Sequence, residues 1–80
     1  MRMEIPMPEL GYEVEEGTIS AWLVAVGDEV AVGQVIAEIE TDKTTLDVES
    51  LHAGTLAEIA HEVGAAVPVG QALAYVEVAG

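Results

Sequence analysis

The side chain with the most distinctive chemistry is that of Lys43, the only lysine among 80 residues. A lysine can be modified at its amine, and it then acts through the group that it carries, because the bare ammonium is a poor redox or acyl-transfer group. A lysine that is simply exposed at the surface is the ordinary case. Here the other charged residues are nearly all acidic, which favours a functional role for this lone lysine.

Two β-prone segments flank this lysine: residues 39–41 precede the pair Asp42-Lys43, and residues 44–46 follow it. Two such segments separated by two polar residues predict a β-hairpin with a two-residue loop. Asp-Lys is a less typical loop than Asn-Gly or Asp-Gly. Lys43 should then stand exposed at the tip of the hairpin.

Other candidate sites are weaker. His52 and His61 could bind a metal together with Glu58 or Glu62, but two histidines without a third partner are more often surface residues. Trp22 could mark a binding groove, although a large apolar residue in a predicted strand is more often part of the core. No catalytic triad, phosphate-binding loop or pair of catalytic carboxylates can be assembled from the motifs.

An internal repeat surrounds the predicted hairpin. With an offset of 37 residues, residues 17–40 align with residues 54–77, which predicts two copies of one supersecondary unit related by an approximate two-fold axis. The offset also relates Lys43 to Gly80, so these two residues should lie at opposite ends of the molecule. The identical pairs are Gly17/Gly54, Thr18/Thr55, Val26/Val63, Gly27/Gly64, Val30/Val67, Val32/Val69, Gly33/Gly70, Gln34/Gln71, Ala37/Ala74 and Glu40/Glu77.

Short apolar segments, cut by Gly and Pro, predict a compact all-β sandwich or barrel. The strands should lie near residues 3–7, 17–24, 34–41, 44–49, 54–61 and 71–78. Glycines at 27, 33, 64 and 70 should form turns with positive φ. Alternating polarity predicts the inward-facing residues to be Val35, Ala37 and Ile39 in the first repeat, and Ala72, Ala74, Val76 and Val78 in the second.

Composition bounds the remaining possibilities. Residues 1–80 suffice for one small domain, either a stand-alone carrier or one part of a longer polypeptide. A formal net charge of −13 disfavours nucleic acid as a partner. The absence of cysteine excludes disulfides and Cys-bound metals. No apolar run reaches the roughly 20 residues of a membrane helix, so a cytoplasmic protein is expected.

The segments IPMPELG, EEGTI, VGDEV and IAEIETDKTT give the chain a resemblance to the lipoyl domains of 2-oxo acid dehydrogenase acyltransferases. This resemblance covers nearly the whole chain. It implies a barrel-sandwich hybrid of two antiparallel sheets, with lipoic acid in amide linkage to the lysine of the E-T-D-K run, Lys43. The positions similar to those read by a lipoate-attaching enzyme are Gly27, Glu40, Asp42, Thr44 and Gly54.

The resemblance also implies a non-catalytic, monomeric carrier. Its partners would be the lipoate-attaching enzyme, a thiamin-diphosphate-dependent decarboxylase, the acyltransferase core and a flavin-containing dihydrolipoyl dehydrogenase. Residues 10–16 have no counterpart in the repeat, and loops of that kind often carry recognition. The corresponding loop of lipoyl domains lies beside the lysine hairpin, so Tyr12 and Glu13 should lie within reach of a docking decarboxylase.

Two alternatives remain open. A biotinyl carrier shares the fold and the hairpin lysine, but that family usually has methionine on both sides of the lysine, whereas Asp42 and Thr44 flank it here. An unmodified hammerhead module of an adaptor or membrane-fusion protein would not need the E-T-D-K run.

Overall fold

The computed structural model describes residues 1–11 and 13–79, so Tyr12 and Gly80 lie outside the described part of the chain. All the regular elements in that part are β-strands. No helix there is long and apolar enough to cross a membrane. The strands are β1 (Arg2–Pro6), β2 (Glu16–Trp22), β3 (Glu29–Val30), β4 (Val35–Glu40), β5 (Thr45–Glu49), β6 (Gly54–Ile59), β7 (Ala66–Pro68) and β8 (Ala72–Glu77).

The strands form two antiparallel four-stranded sheets, in the orders β1-β8-β6-β3 and β5-β4-β2-β7. The predicted all-β fold of two antiparallel sheets is confirmed, as a sandwich rather than a closed barrel. Strand β3 of the first repeat pairs with β6 of the second, and β7 of the second pairs with β2 of the first. The two repeats are therefore interlocked, because each completes the sheet of the other.

The core is aliphatic, and every strand contributes to it. Val and Ile, which are branched at Cβ, suit the pleated and half-buried surface of a strand. Trp22 is half-buried and packs against this core from its edge. The buried apolar residues are Ile5, Met7, Leu10, Ile19, Val30, Ile36, Ala37, Ile39, Val48, Leu56, Val67, Leu73, Ala74 and Val76.

Matched hydrogen bonds confirm the predicted repeat. The Gly27 amide donates to the Leu56 carbonyl at 2.8 Å, and the Gly64 amide donates to the Ile19 carbonyl at 2.8 Å. At the offset of 37 residues Gly27 aligns with Gly64, and Ile19 aligns with Leu56. The two hydrogen bonds are therefore equivalent in the two halves. Gly27 and Gly64 have φ values of 99° and 96°, in the left-handed region that favours glycine. The predicted turn glycines at 33 and 70 also have positive φ.

The predicted inward faces of β4 and β8 are only partly right. Ala37 and Ala74 are buried as predicted, but Val35 and Ala72 are only half-buried. In their place Ile36 and Leu73 are buried. A register shift at Ile36 in β4 and its repeat mate Leu73 in β8 inserts one extra residue into each strand. Such a bulge breaks the alternation of side chains between the two faces.

Strand boundaries also differ from the prediction. The short strands β3 and β7 were not predicted. Strand β6 ends at Ile59, so His61 lies in the following turn rather than at a strand end. Val78, predicted to face inward, is half-buried beyond the end of β8 and packs against the core. The predicted placement of Gly80 relative to Lys43 falls outside the described residues.

Candidate functional site

Lys43 lies in the hairpin that joins β4 to β5. The strands end at Glu40 and Thr45, which are paired with each other. Beyond them the Thr41 amide donates to the Thr44 carbonyl at 2.8 Å, so the ladder continues for one more step. Asp42 and Lys43 are left as the two residues of the turn, as predicted from the sequence. Both side chains are exposed.

The hydroxyl of Thr41 organises this turn. It accepts hydrogen bonds from the Thr44 amide at 3.1 Å and from the Lys43 amide at 3.3 Å, and it donates to the Thr44 carbonyl at 3.0 Å. Threonine and serine hydroxyls often bond the backbone of the turn that follows them. Thr41 was not among the predicted site residues, although a threonine directly before a polar two-residue loop is a signal for this arrangement.

The surface beside Lys43 is strongly acidic. One groove is lined by Glu13, Val14, Glu15, Glu16, Thr18, Glu40, Thr41, Asp42 and Lys43. Within residues 1–11 and 13–79, the ion pairs join the amino terminus to Glu77 and Arg2 to Glu58. The Lys43 amine takes part in neither pair. The Lys43 side chain is exposed, and the other charged residues that line the groove are all acidic.

The groove confirms the predicted proximity of the loop before β2 to the lysine hairpin. Glu13 lines the same groove as Lys43, and Glu13 is a non-glycine residue with a positive φ, 64°. Positive φ is uncommon for residues other than glycine, asparagine and aspartate. Glu13 and Lys43 therefore lie on one surface of the domain. Tyr12, the other residue predicted to lie within reach of a partner, is outside the described residues.

The predicted recognition positions do not all lie together. Glu40 and Asp42 line the groove with Lys43, and Thr44 closes the turn. Gly27, in contrast, lies in the turn between β2 and β3, against β6. Gly54 lines a different groove, shared with residues 77–79. Both glycines have positions that the fold itself explains.

Gly54 is required by close packing of the backbone. A Cβ atom at this position would overlap the carbonyl oxygen of Glu77 in the neighbouring strand β8. Its repeat mate Gly17 is in the same situation, because a Cβ there would overlap the side chain of Ile39 in β4. At both positions a neighbouring strand leaves no room for a Cβ atom, which is a structural reason for glycine.

The remaining candidates have structural partners. The Trp22 indole donates from Nε1 to the His61 carbonyl at 2.9 Å, so this tryptophan both contacts the core and fixes the turn after β6. It also lines a surface groove with Ile59 and residues 62–63. His52 lies in a turn held by Ser50, whose buried hydroxyl donates to the His52 carbonyl at 2.6 Å. The described residues contain no group of three or more metal-ligating side chains placed to hold an ion.

Comparison with known proteins places this site in a family. The biotin/lipoyl family, described as "Biotin-requiring enzyme", matches residues 3–76. The chain belongs to this family. The match includes both sheets, the lysine hairpin and the acidic groove, and it confirms the resemblance drawn from the sequence.

Two relatives of this chain are acyltransferase components. The chain is 48% identical over 73 residues to the dihydrolipoyllysine-residue succinyltransferase component of the 2-oxoglutarate dehydrogenase complex of Staphylococcus saprophyticus, covering 91% of this chain and 17% of the relative. It is 44% identical over 77 residues to the lipoamide acyltransferase component of the branched-chain alpha-keto acid dehydrogenase complex of Bacillus subtilis, covering 96% and 18%. The chain thus spans less than a fifth of these relatives' length.

A solved structure agrees with the sandwich. The lipoyl domain of the 2-oxoglutarate dehydrogenase complex from Azotobacter vinelandii superposes with a TM-score of 0.76 at 30% identity, covering 96% of this chain and 98% of that domain. Unlike the acyltransferase components, this neighbour is nearly the same size as the present chain. The alignment therefore spans nearly all of that solved lipoyl domain.

Proposed function

We propose that this domain is a lipoyl carrier that bears lipoic acid in amide linkage to Lys43. The observation that carries the proposal is the position of the only lysine, exposed at the tip of a two-residue turn within the run Glu40-Thr41-Asp42-Lys43. The names of the relatives, which are components acting on dihydrolipoyllysine or lipoamide, favour lipoate over biotin. The flanking residues Asp42 and Thr44, in place of methionines, favour the same choice.

The residues at the turn fit a covalently attached arm. The Lys43 side chain is exposed, and no carboxylate of the described residues lies within ion-pair distance of its amine. The turn is hydrogen-bonded, so the Cα–Cβ direction of Lys43 is defined while the side chain extends into solvent. When attached, lipoic acid supplies a dithiolane that can accept an acyl group and two electrons. The domain itself presents the arm and performs no chemistry.

The proposed role is to carry acyl groups between active sites of a 2-oxo acid dehydrogenase complex. The partners are the lipoate-attaching enzyme, a thiamin-diphosphate-dependent decarboxylase, an acyltransferase core and a flavin-containing dihydrolipoyl dehydrogenase. A tethered domain raises the local concentration of its arm at each partner to about the millimolar range, without a large docking surface. The tip residues Glu40, Asp42 and Thr44 are the proposed contacts for the attaching enzyme, and Gly27 and Gly54 would act indirectly, by holding the scaffold.

Intact mass spectrometry tests this proposal. The chain is expressed with a lipoate-attaching enzyme and lipoate, and separately with a biotin-attaching enzyme and biotin. One lipoyl group per chain and no biotinyl group are expected. A biotinyl group alone would favour the biotinyl carrier, and an unmodified chain in both samples would favour the hammerhead interaction module.

A further inference from the structure

The lysine turn differs from an ordinary two-residue hairpin in one hydrogen bond. In a β-turn the amide of the fourth residue usually donates to the carbonyl of the first. Here the Thr44 amide donates to the Thr41 hydroxyl at 3.1 Å. The same oxygen also accepts from the Lys43 amide at 3.3 Å and donates to the Thr44 carbonyl at 3.0 Å. One hydroxyl therefore bonds the backbone of two of the three residues that follow it.

The repeat provides an internal comparison for this hydroxyl. The residue aligned with Thr41 is Val78, and its amide donates to the Met1 carbonyl at 2.7 Å. That bond is the counterpart of the Thr41 amide bond to the Thr44 carbonyl, because β1 pairs with β8 as β5 pairs with β4. Valine thus supports the same ladder bond in the second repeat. The sandwich does not need a hydroxyl at this position, whereas the lysine turn uses one.

We infer that Thr41 is a positioning residue whose hydroxyl holds Lys43 in the orientation that the attaching enzyme meets. The inference rests on the proposed lipoyl-carrier function. Thr41 is half-buried at the base of the turn, while Asp42, Lys43 and Thr44 are exposed. In addition to the ladder bond between Thr41 and Thr44, the Thr41 hydroxyl supplies three hydrogen bonds to the backbone of the tip. Without it, the amides of Lys43 and Thr44 would bond to water, and the lysine would sample more orientations.

The variants Thr41→Val and Thr41→Ser test the inference. Valine has the same shape without the hydroxyl, and serine keeps the hydroxyl. With limiting attaching enzyme, the initial rate of lipoyl-amide formation, followed by intact mass, should fall about 3- to 10-fold in Thr41→Val, the factor that corresponds to one or two modest hydrogen bonds. Thr41→Ser should retain most of the rate. Circular dichroism should show that both variants remain folded β domains at the temperature of the assay.

Amide hydrogen exchange gives a readout that does not depend on the enzyme. The amides of Lys43 and Thr44 should exchange faster in Thr41→Val than in the wild type or in Thr41→Ser. Thr55→Val is the matched control, because it removes an exposed strand threonine whose side chain lies outside the lysine groove. This control should change neither the modification rate nor the exchange of the two turn amides.

The outcomes separate the inference from the function on which it rests. A wild-type chain that accepts no lipoyl group would overturn both. A modified wild type with an equal rate for Thr41→Val would overturn only the positioning role. A loss of rate that serine does not restore would also overturn it, since the methyl group rather than the hydroxyl would then be responsible.

Discussion

At the scale of single residues, the site combines a free amine with a fixed backbone. Lys43 is the only lysine, and its amine forms none of the ion pairs found among the described residues, although five acidic side chains line the same groove. An amine that is not engaged by a neighbour can be reached and acylated at little cost to the fold. The hydrogen bonds at the tip involve the backbone and the hydroxyls of Thr41 and Thr44, not the side chain that would be modified.

Replacing Lys43 by arginine should abolish lipoylation and leave the fold intact. The exposed tip contributes little to stability, so the free energy of unfolding should change by no more than about 0.5 kcal/mol. Native gel electrophoresis gives a second readout. Loss of one ammonium on modification takes the formal net charge from −13 to −14 (−13 − 1), so modified wild type should migrate faster, while Lys43→Arg should show one unshifted band. A lipoyl group on Lys43→Arg would disprove Lys43 as the only acceptor.

At the scale of elements, the β4–β5 hairpin sets the height and direction of the lysine. Insertion of one glycine between Asp42 and Lys43 would convert the two-residue loop into a three-residue loop, which changes the turn class and rotates the tip. The initial rate of lipoyl attachment should fall by at least about tenfold, because a small displacement of a reacting group can cost a large factor in rate. The circular dichroism spectrum should remain that of a β protein. Equal modification of the insertion variant would show that the enzyme reads only the local residues.

Local sequence predicted the long strands and the lysine turn, because their signals lie within a few adjacent residues. It could not predict β3, whose two residues are a strand only because β6, 24 residues further on, pairs with them. Local sequence also could not predict that Ile36, rather than Val35, is buried. That side chain turns inward because of a bulge, and a bulge in β4 is defined by the register with β5 rather than by the sequence of β4 itself. Gly54 is similar, since the strand that excludes a side chain there is β8.

The loop before β2 is the second element that shapes the site. Replacing residues 11–15 with the equivalent loop of a lipoyl domain from a different 2-oxo acid complex should lower reductive acylation by the cognate decarboxylase. Attachment at Lys43 should continue unchanged, because the turn and its Thr41 hydrogen bonds are untouched. The measurement compares the acylation rate of lipoylated chimera and wild type. An undiminished rate would assign recognition to the hairpin, residues 40–45, instead.

Across the domain as a whole, repulsion between the acidic side chains opposes the stability that comes from packing the two repeats together. The interlocked repeats give a compact sandwich with principal-axis extents of 37 × 19 × 19 Å. Fifteen acidic residues share this small surface with one arginine and one lysine. The two ion pairs of the described residues are exposed, and exposed pairs stabilise a protein by only about 0–1 kcal/mol. Mutual repulsion of the carboxylates should therefore outweigh their attraction to the few cations.

Thermal stability should consequently rise with salt. At an ionic strength of about 0.01 M the Debye length is about 30 Å, whereas at about 0.15 M it is about 8 Å. The first value is comparable with the 37 Å length of the domain, so at low salt carboxylates repel across the whole molecule. We expect the melting temperature, followed by circular dichroism, to be higher in about 0.15 M NaCl by about 4–8 °C, the shift for about 1 kcal/mol in a domain of this size.

The double variant Glu49→Gln/Glu62→Gln provides the control for this effect. Both side chains are exposed, form no ion pair in the described structure and lie outside the lysine groove. Their neutralisation reduces the formal net charge from −13 to −11 (−13 + 2), so the variant should melt at a higher temperature than the wild type at low salt and should respond less to added NaCl. A wild-type melting temperature that stays constant or falls with salt would show that favourable charge pairs, rather than repulsion, dominate the electrostatics of the folded domain.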